Sequence, residues 1–297
     1  MEKLKYRRIG ITTRSDFAEG VSCAEEIIKI ITELKATVFL DTERCSVEKF
    51  KHIPSLTAHT PIDLLITVGG DGTLLRAIRE LHNPLTPILS IHRGTVGFLT
   101  ELAIGDLESY LPKLLQGQGS VIDERSMFTV LARRGKQILW EGTVLNEAVV
   151  SQGAISRLID LETRINGKRL AVFHADGIIV ATPTGSTAYS LAAGGPIVHP
   201  QLRATILTPI NPHSFNQKPV VIPEEHVIEI TILTTQSRFS DAQVSLTLDG
   251  QTYVSLQGGD TVRVVISKRK ARLLRRKEDT FFATLRKKLH WGERMEK

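Results

Sequence analysis

An acidic residue lies at the centre of a glycine-rich turn in this chain. Gly69-Gly70-Asp71-Gly72-Thr73 directly follows an apolar segment, residues 64–68, and precedes a helical pattern from Leu74. A strand, a glycine turn and a helix N-terminus in this order make a site for phosphate, because backbone N–H groups and the helix dipole favour an anion. A carboxylate at such a site repels phosphate, so we expect it to have another role, either to take a proton from a hydroxyl or to hold a metal ion. The alternative is an ordinary Asp-Gly turn or helix cap.

A second stretch, residues 176–196, gathers small and hydroxyl-bearing residues at the start of a short helix. Thr182-Pro183-Thr184-Gly185-Ser186-Thr187 opens that helix, and Gly194-Gly195 ends it. Hydroxyl groups at a helix N-terminus can donate hydrogen bonds to phosphate or ribose oxygens. A capped helix with a glycine stop is the structural alternative, but the density of small polar residues favours binding. Asp176 adds an acceptor for a hydroxyl, and Tyr189 adds a face for stacking.

Two adjacent polar residues, Asn146-Glu147, interrupt an otherwise apolar segment of the chain. Polar side chains inside a strand cost free energy of burial unless they meet a ligand or a partner. A hydrogen-bonded bulge or turn would explain the pair equally well, so both interpretations stay open.

Other familiar sites are missing from the sequence. There is no Gly-x-x-x-x-Gly-Lys-Ser/Thr loop and no Gly-x-Gly-x-x-Gly, which disfavours a P-loop kinase and a classical dinucleotide dehydrogenase. The nine histidines show no metal-ligand spacing.

Alternating strands and helices must position the first turn. Apolar segments at 8–13, 37–40, 62–68 and 87–91 alternate with helical patterns, which predicts a doubly wound parallel sheet over residues 1–110. Ligands in such sheets bind at the carboxyl ends of the strands, where Asp71 falls.

Short β-type segments dominate the sequence after residue 119. The tight-turn pairs Asn166-Gly167 and Asp249-Gly250 separate some of them, so residues 111–270 are expected to form a β-rich, β-sandwich-like domain. Residues 271–297 are expected to form a helical tail that packs back on the first domain, with Phe281, Phe282, Leu285 and Leu289 on one face.

Composition limits the classes of protein this can be. The 297 residues are 41% hydrophobic and 24% charged, as in an ordinary globular protein, and no apolar run is long enough to span a bilayer. Two cysteines and no signal peptide predict a cytoplasmic protein. The net charge is +6, and residues 268–277 alone include seven Lys or Arg, so the rest of the chain is close to neutral. Because no aromatic residue interrupts that run, we expect a solvated strand end and linker, or charges that face a polyphosphate ligand, rather than a nucleic-acid site.

Taken together, the three motifs resemble those of the NAD kinase family. Gly94-Thr95-Val96-Gly97-Phe98-Leu99-Thr100 is similar to that family's Gly-x-Leu-Gly-Phe-Leu segment, and Asp249-Gly250-Gln251 also looks like the family. The glycine-Asp turn alone is shared with diacylglycerol-type lipid kinases, so residues 176–196 carry the specificity of the resemblance.

The resemblance implies an enzyme that phosphorylates the 2′-hydroxyl of the adenosine ribose of NAD and so makes NADP. ATP, or inorganic polyphosphate in some members, would be the donor, with a divalent metal cation such as Mg²⁺. Members of the family have an α/β N-terminal domain and a β-rich C-terminal domain, bind NAD between them, and are usually homodimers or homotetramers. A membrane partner is not expected.

Roles for individual residues follow from the resemblance and from the chemistry of the reaction. A ribose hydroxyl is a poor nucleophile, so a base must accept its proton, and we expect Asp71 to be that base. His174 stands where members often carry arginine, which bears on the preference between NAD and NADH. The expected substrate-binding residues are Gly70, Gly72, Thr73, Arg76, Asn146, Glu147, Arg157, His174, Asp176, Thr187, Ala188, Tyr189, Ser190, Leu191, Ala192 and Gln251.

Two other functions are possible on the same residues. A lipid kinase would share the glycine-Asp turn but gives no reason for residues 176–196. A non-catalytic NAD(P)-binding or nucleic-acid-binding protein would tolerate the loss of Asp71.

Overall fold

The chain was analysed in a computed structural model, which describes residues 3–14, 18–45, 48–92, 94, 97–153, 158–233, 244–277 and 281–290. It forms two compact units, Met1–Glu124 with Ala271–Lys297, and Arg125–Lys270. No helix in these described ranges is both long and apolar enough to cross a membrane.

The first part of the chain alternates strands and helices, as its hydrophobic pattern predicts. In order, these elements are β1 (Arg8–Thr13), α1 (Ala18–Glu33), β2 (Thr37–Leu40), β3 (Leu64–Val68), α2 (Asp71–Glu80), β4 (Ile88–His92), β5 (Leu102–Ala103), α3 (Leu107–Gln116) and β6 (Ser120–Arg125). Two short 3₁₀ helices, Glu48–Phe50 and Ile104–Asp106, lie in the connections. All five residues of β3 and of β4 are buried, which is typical of central strands in a parallel sheet.

The second unit is built almost entirely of strands. These are β7 (Phe128–Arg134), β8 (Gln137–Val144), β9 (Glu147–Gln152), β10 (Ile159–Ile165), β11 (Lys168–Ala175), β12 (Gly177–Ala181), β13 (Ala204–Ile210), β14 (Val220–Pro223), β15 (Ile228–Ile232), β16 (Val244–Leu248), β17 (Thr252–Leu256) and β18 (Thr261–Ile266). A 3₁₀ helix, Gly185–Thr187, and the short α4 (Tyr189–Ala192) follow β12.

The end of the chain returns to the first unit. It adds β19 (Ala271–Arg276) and α5 (Phe281–Leu289). In the described residues the first sheet has seven strands, in the order β2-β1-β3-β4-β19-β6, with β5 also paired to β4. The pairs formed by β1 with β2 and β3, and by β4 with β3, β5 and β19, are parallel, which confirms the predicted α/β sheet.

The predicted extent of the first unit and the predicted start of the helical tail differ from the structure. Helix α3 and strand β6 belong to the first unit, which reaches residue 124 rather than 110. Residues 271–276 are a strand and not part of a helix. Within this basic segment Ala271, Leu273 and Leu274 are buried in the first unit, while Arg272, Arg275 and Arg276 remain partly exposed.

Two sheets of the second unit pack face to face. Their strand orders, among the described residues, are β11-β10-β15-β18-β7-β8 and β14-β13-β12-β9-β16-β17. Val130 and Ile230, in the sheet that begins with β11, share one hydrophobic core with Val150 and Ile178, in the sheet that begins with β14. This arrangement confirms the β-sandwich-like expectation.

Both predicted hairpin turns are present in the second unit. Asn166 and Gly167 join the antiparallel strands β10 and β11 with φ of 50° and 76°. Asp249 and Gly250 join β16 and β17 with φ of 49° and 65°. Positive φ at both central residues is the conformation that Asn-Gly and Asp-Gly pairs favour.

Candidate active site

The glycine-Asp turn connects the buried strand β3 to α2, whose first residue is Asp71. The Gly69 N–H donates to the carbonyl of Ile91 on β4, which ties the turn to the neighbouring strand. Gly70 is the residue before the helix, and no side chain in the described part of the chain caps α2. The helix-cap interpretation of Asp71 is therefore wrong, because its carboxylate does not cap its own helix.

The carboxylate of Asp71 is instead held by the loop that follows β4. Backbone N–H groups of Phe98 and Leu99 donate to its two oxygens at 3.1 and 3.2 Å. Gly97 lies against the same carboxylate, and a Cβ atom at that position would be 2.0 Å from Asp71 Oδ1. The Gly97 N–H donates to Thr100 Oγ1 at 2.8 Å, which orders the loop itself. These contacts fix the orientation of the carboxylate at the carboxyl end of the sheet.

Thr73 packs back onto the turn that precedes it. Its side chain is buried, and a Cβ atom at Gly69 would lie 2.3 Å from Thr73 Oγ1. Gly69 therefore accommodates Thr73, so that the first turn of α2 sits directly on the glycine turn. Gly72 lies between Asp71 and Thr73 in that first turn.

Arg76, one helical turn further on, contacts the end of β1. Its Nη2 donates to the carbonyl of Thr13 at 2.7 Å and to Thr12 Oγ1 at 3.2 Å. Burial lowers the pKa of Arg76, with the neighbouring Arg44 as a further cause. The structure thus places Arg76 between α2 and β1, on the same helix as Asp71.

In the second unit, Asn146 and Glu147 follow β8 at the point where β9 begins. One carboxylate, that of Asp249, accepts the backbone N–H groups of Leu145, Asn146 and Glu147 at 2.8, 2.7 and 3.1 Å. The carboxylate reaches them from the β16–β17 turn, about a hundred residues along the chain. It fixes the backbone of the predicted pair.

The hydroxyl-rich turn after β12 packs on the other side of the same pair. Thr182 donates its backbone N–H to the carbonyl of Asn146 at 2.8 Å and its hydroxyl to the carbonyl of Leu145 at 2.6 Å. A Cβ atom at Gly185 would lie 2.2 Å from the Asn146 carbonyl oxygen, so glycine is needed for this approach. The two motifs that stand out in the sequence are therefore in direct contact.

Glu147 is a buried acid with an unusual environment. Burial raises the pKa of Glu147 to about 8, the nearby Asp249 carboxylate adds to the rise, and a hydrogen bond from the Tyr189 backbone opposes it. Among the described residues, neither Glu147 Oε2 nor Asn146 Oδ1 has a hydrogen-bond partner, although both atoms are buried. Buried polar atoms without partners are rare in folded proteins and are expected where a ligand supplies the partner.

The segment from Thr187 to Ala192 divides into exposed and buried residues. Tyr189 is 46% exposed, Ala192 is exposed, and Thr187, Ala188 and Leu191 are half-buried. Ser190 points into the protein, where its hydroxyl bonds Thr208 Oγ1 at 2.9 Å. Its side chain therefore anchors α4, whereas its neighbours remain accessible.

A second group of predicted residues lies at the opposite end of β12. The register of β12 with β9 pairs Ala181 with Glu147 and Gly177 with Ser151, so Asp176 is a strand length away from Glu147. Asp176 Oδ2 accepts a hydrogen bond from Asn211 at 2.9 Å, and His174 Nδ1 bonds Asp160. Gln251 lies exposed in the turn after β16, and Arg157 lies outside the described residues.

Sequence reasoning missed the residues that hold the predicted ones in place. Asp249 looked like a turn residue, and Gly97 looked like part of a glycine-rich loop. The spacing of Asp249 from Asn146 in the sequence predicts no contact. Only the resemblance of the segments around Asp249 and Gly97 to one family could have indicated that these two residues matter.

Comparison with known proteins places these features in one family. Two family models match the chain, the ATP-NAD kinase N-terminal domain over residues 9–119 and the ATP-NAD kinase C-terminal domain over residues 145–276. An NAD kinase of Trichlorobacter lovleyi is 40% identical over 272 residues, which cover 91% of this chain and 94% of the relative. An NAD kinase of Citrifermentans bemidjiense is 36% identical over 292 residues, covering 97% and 100%.

Solved structures agree with the fold. An NAD kinase from Archaeoglobus fulgidus in complex with ATP aligns with a TM-score of 0.71 and 27% identity, covering 94% of this chain and 99% of that one. Yeast NADH kinase complexed with NADH aligns with a TM-score of 0.86 over 98% and 90%, at 24% identity, and shows the shared fold.

Proposed function

The chain belongs to the NAD kinase family, and we propose that Asp71 is the general base with which it transfers a phosphoryl group from ATP to the 2′-hydroxyl of the adenosine ribose of NAD. The observation that carries this proposal is the Asp71 carboxylate, oriented by two backbone N–H groups at the start of a helix. A ribose hydroxyl is a weak nucleophile near neutral pH, and a positioned carboxylate can take its proton as the phosphoryl group arrives.

The residues around Asp71 suit the phosphates of the reaction. The N-terminus of α2 carries the positive end of the helix dipole; Gly70 is the residue before the helix, and Gly72 and Thr73 lie in its first turn. Gly70 has open space around it, since a Cβ atom there would meet nothing within 4 Å. A phosphate oxygen can therefore approach the backbone of the turn closely.

Asn146 and Glu147 are proposed to bind the dinucleotide. Asn146 Oδ1 and Glu147 Oε2, which are buried and have no partner among the described residues, lie beside the half-exposed Tyr189 and the hydroxyl-rich turn. With its pKa raised to about 8, Glu147 is protonated at neutral pH and can donate a hydrogen bond as well as accept one. Thr187, Ala188, Leu191, Ala192 and Gln251 are proposed to line the same site, and Ser190 to hold α4 in place.

Asp176 and His174 are proposed to contact the substrate from the other end of β12. Both are paired already, Asp176 with Asn211 and His174 with Asp160, so their orientation is set before the substrate binds. An imidazole has fewer donors than a guanidinium, and His174 is therefore proposed to influence the preference between NAD and NADH.

A divalent cation, Mg²⁺ in our proposal, would be brought by the phosphates of ATP. The described residues include no group of three or more His, Cys, Asp or Glu side chains that could hold a metal ion. Mg²⁺ usually binds one or two carboxylates together with substrate phosphates rather than an all-protein site, and the Asp71 carboxylate at the proposed phosphate turn suits that arrangement. When bound, the cation supplies positive charge to the transferring phosphoryl group. Inorganic polyphosphate is a proposed second donor.

The remaining proposals concern the state of the protein in the cell. We propose a homodimer or homotetramer, as the family resemblance suggests, and a cytoplasmic location. The location is supported by Cys23 and Cys45, which are buried free thiols. Free thiols of this kind are typical of a reducing compartment.

The direct experiment incubates the purified protein with NAD, ATP and Mg²⁺ and measures NADP with an NADP-specific dehydrogenase. We expect NADP to accumulate, and phosphorus NMR of the product to report a 2′-phosphate. No NADP formation, with NADH and polyphosphate also tried, would contradict the proposal. A lipid kinase or a non-catalytic binding protein would give that result, but no observation on this chain favours either.

A further inference from the structure

The first unit contains a cavity beside α2, apart from the residues proposed to bind phosphate and the dinucleotide. Its volume is about 640 Å³, within the range of pockets that bind small molecules. It is lined by Ala77 of α2 and by Leu81, which follows that helix, together with Leu56 and Ile62 of the segment before β3 and Leu65 of β3. These side chains form an apolar part of the cavity lining.

The alternating direction of the side chains along β1 explains why the cavity exists. Ile9 and Ile11 pack in the core with residues of α1, so Gly10 and Thr12 face the other side of the sheet. Leu56 and Ile62 lie over Gly10, where a Cβ atom would be 3.0 to 3.2 Å from their methyl groups. A loop segment rather than a helix thus covers this face of β1, and space remains beneath it.

The end of the cavity near Thr12 is polar. Thr12 donates its hydroxyl to Asp41 Oδ2 at 2.6 Å, and Arg44 pairs with the same oxygen at 2.8 Å and with Glu80 at 3.1 Å. Arg76 donates to Thr12 Oγ1 from α2. An acid directly after the second strand of a parallel sheet is suited to a ribose hydroxyl, and the two guanidinium groups are suited to phosphate.

The opposite end contains a polar atom that lacks a partner. Thr86 lines the cavity, its side chain is 4% exposed, and its hydroxyl has no hydrogen-bond partner in the described part of the chain. A buried hydroxyl among apolar walls is expected to bond a group that enters the cavity. The ring nitrogens and amino group of a purine base would satisfy it.

The position of the cavity relates it to the phosphate turn. In the β1–β3 register Thr12 pairs with Thr67, two residues before Gly69, which places the polar end about 7 Å along the sheet from the turn. Leu65, at the far end, is four residues before Gly69, or about 13 Å. A ribose and a triphosphate separate adenine from a transferred phosphoryl group by a comparable distance.

We infer that this cavity binds the adenosine part of the ATP donor, with the ribose at Asp41 and the adenine between the apolar walls and Thr86. The inference rests on the proposed function, because it assumes that the phosphates of this ATP reach the turn at Asp71. It assigns the donor to a place within the first unit, separate from Asn146 and Glu147 in the second.

Two variants test the assignment through the Michaelis constants of the two substrates. Ala58 is an exposed residue on the cavity wall, so Ala58→Trp should fill the cavity without disturbing the core and raise KM for ATP by about tenfold or more. Thr86→Val removes only the unpartnered hydroxyl and should raise KM for ATP about fivefold. Lys51→Trp, on the same connecting segment but outside the cavity lining, is the matched control. KM for NAD should stay unchanged in all three, and unchanged KM for ATP in the two cavity variants would overturn the inference.

Photolabelling gives a readout that does not depend on turnover. The wild-type protein is irradiated with 8-azido-ATP in the presence of saturating NAD, and the labelled peptides are identified by mass spectrometry. We expect label within residues 41–62 or 77–86, and label only at other positions would overturn the inference. Labelling of the cavity in a protein that makes no NADP would instead contradict the proposed function while supporting the nucleotide site.

Discussion

Gly97 and Asp71 lie in contact, although 26 residues separate them in the chain. A Cβ atom at Gly97 would be 2.0 Å from Asp71 Oδ1 and 2.6 Å from Cγ, well inside van der Waals distance. The next two residues donate their N–H groups to the same carboxylate. The loop after β4 therefore approaches the acid closely enough to bind it only because residue 97 lacks a side chain.

The first prediction concerns this contact. Gly97→Ala should force the Asp71 carboxylate or the loop to move, and we expect kcat to fall about 100-fold, since small displacements of catalytic groups cost that much. Gly94→Ala is the matched control, because Gly94 lies in the same loop with nothing within 4 Å of its Cβ position. Steady-state kinetics of both variants tests the prediction, and equal kcat values in the two would contradict it.

The second prediction concerns Asp249, a positioning residue for Asn146 and Glu147. Asp249→Asn keeps a residue that tolerates positive φ but leaves one acceptor oxygen for three N–H groups, so KM for NAD should rise about tenfold. Asn166→Asp, in the equivalent hairpin position between β10 and β11, should leave KM for NAD unchanged.

A second measurement separates positioning from general loss of structure in the Asp249 variant. The Asp249 carboxylate contributes to the raised pKa of Glu147, so Asp249→Asn should lower that pKa, as followed by the carboxyl NMR signal of Glu147 during a pH titration. An unchanged pKa together with unchanged KM would show that Asp249 has no role in the site.

The third prediction is a pH dependence of stability that comes from Glu147. Its pKa is raised by burial from 4.5 to about 8, so the folded protein holds a proton that the unfolded chain releases above about pH 4.5. This contribution to stability is complete below pH 4.5. Between pH 4.5 and about 8 it declines by about 1.4 kcal/mol per pH unit.

Denaturant unfolding at pH 5, 7 and 9 measures this effect. Glu147→Gln carries no titrating group, so its free energy of unfolding should decline less steeply with pH than that of the wild type. Glu225→Gln, an exposed position in the same unit, should keep the wild-type slope. Parallel slopes for the wild type and Glu147→Gln would rule out the raised pKa.

The fourth prediction concerns the buried ion pairs that attach β19 to the first unit. Glu101 is 4% exposed, accepts the Arg276 backbone N–H at 3.0 Å and pairs with the side chains of Arg275 and Arg276 at 3.1 Å. Glu101→Gln should lower the free energy of unfolding by about 3 kcal/mol, because Arg275 and Arg276 lose the counter-charge of the buried Glu101 carboxylate. Glu48→Gln breaks an exposed pair with Lys51 and should cost less than about 1 kcal/mol.

Much of the fold follows from local patterns in the sequence. The strands β1 and β2 begin where the hydrophobic pattern predicts, and both Asn-Gly and Asp-Gly pairs form hairpin turns. These features depend on residues close together in the chain, which is why the sequence alone indicates them.

The features that could not be predicted depend on distant residues. Strand β19 could not be predicted because its arginines interrupt the apolar pattern of Leu273 and Leu274. It forms a strand by pairing with β4. Ser190 belongs to a hydroxyl-rich motif typical of a binding site, yet its partner is Thr208 in the interior. The contacts of Asp71 with the loop at 97–99 and of Asp249 with residues 145–147 are likewise fixed only by the assembled sheets.

The proton-accepting role of Asp71 is the central claim, and one variant tests it most directly. Asp71→Asn keeps the size and the hydrogen-bond acceptor but cannot take a proton, so calorimetry should find NAD binding close to that of the wild type. At saturating NAD and ATP, kcat for NADP formation should fall by about 100- to 10,000-fold. A kcat within a few-fold of the wild type in this variant would contradict the assignment of Asp71 as the base.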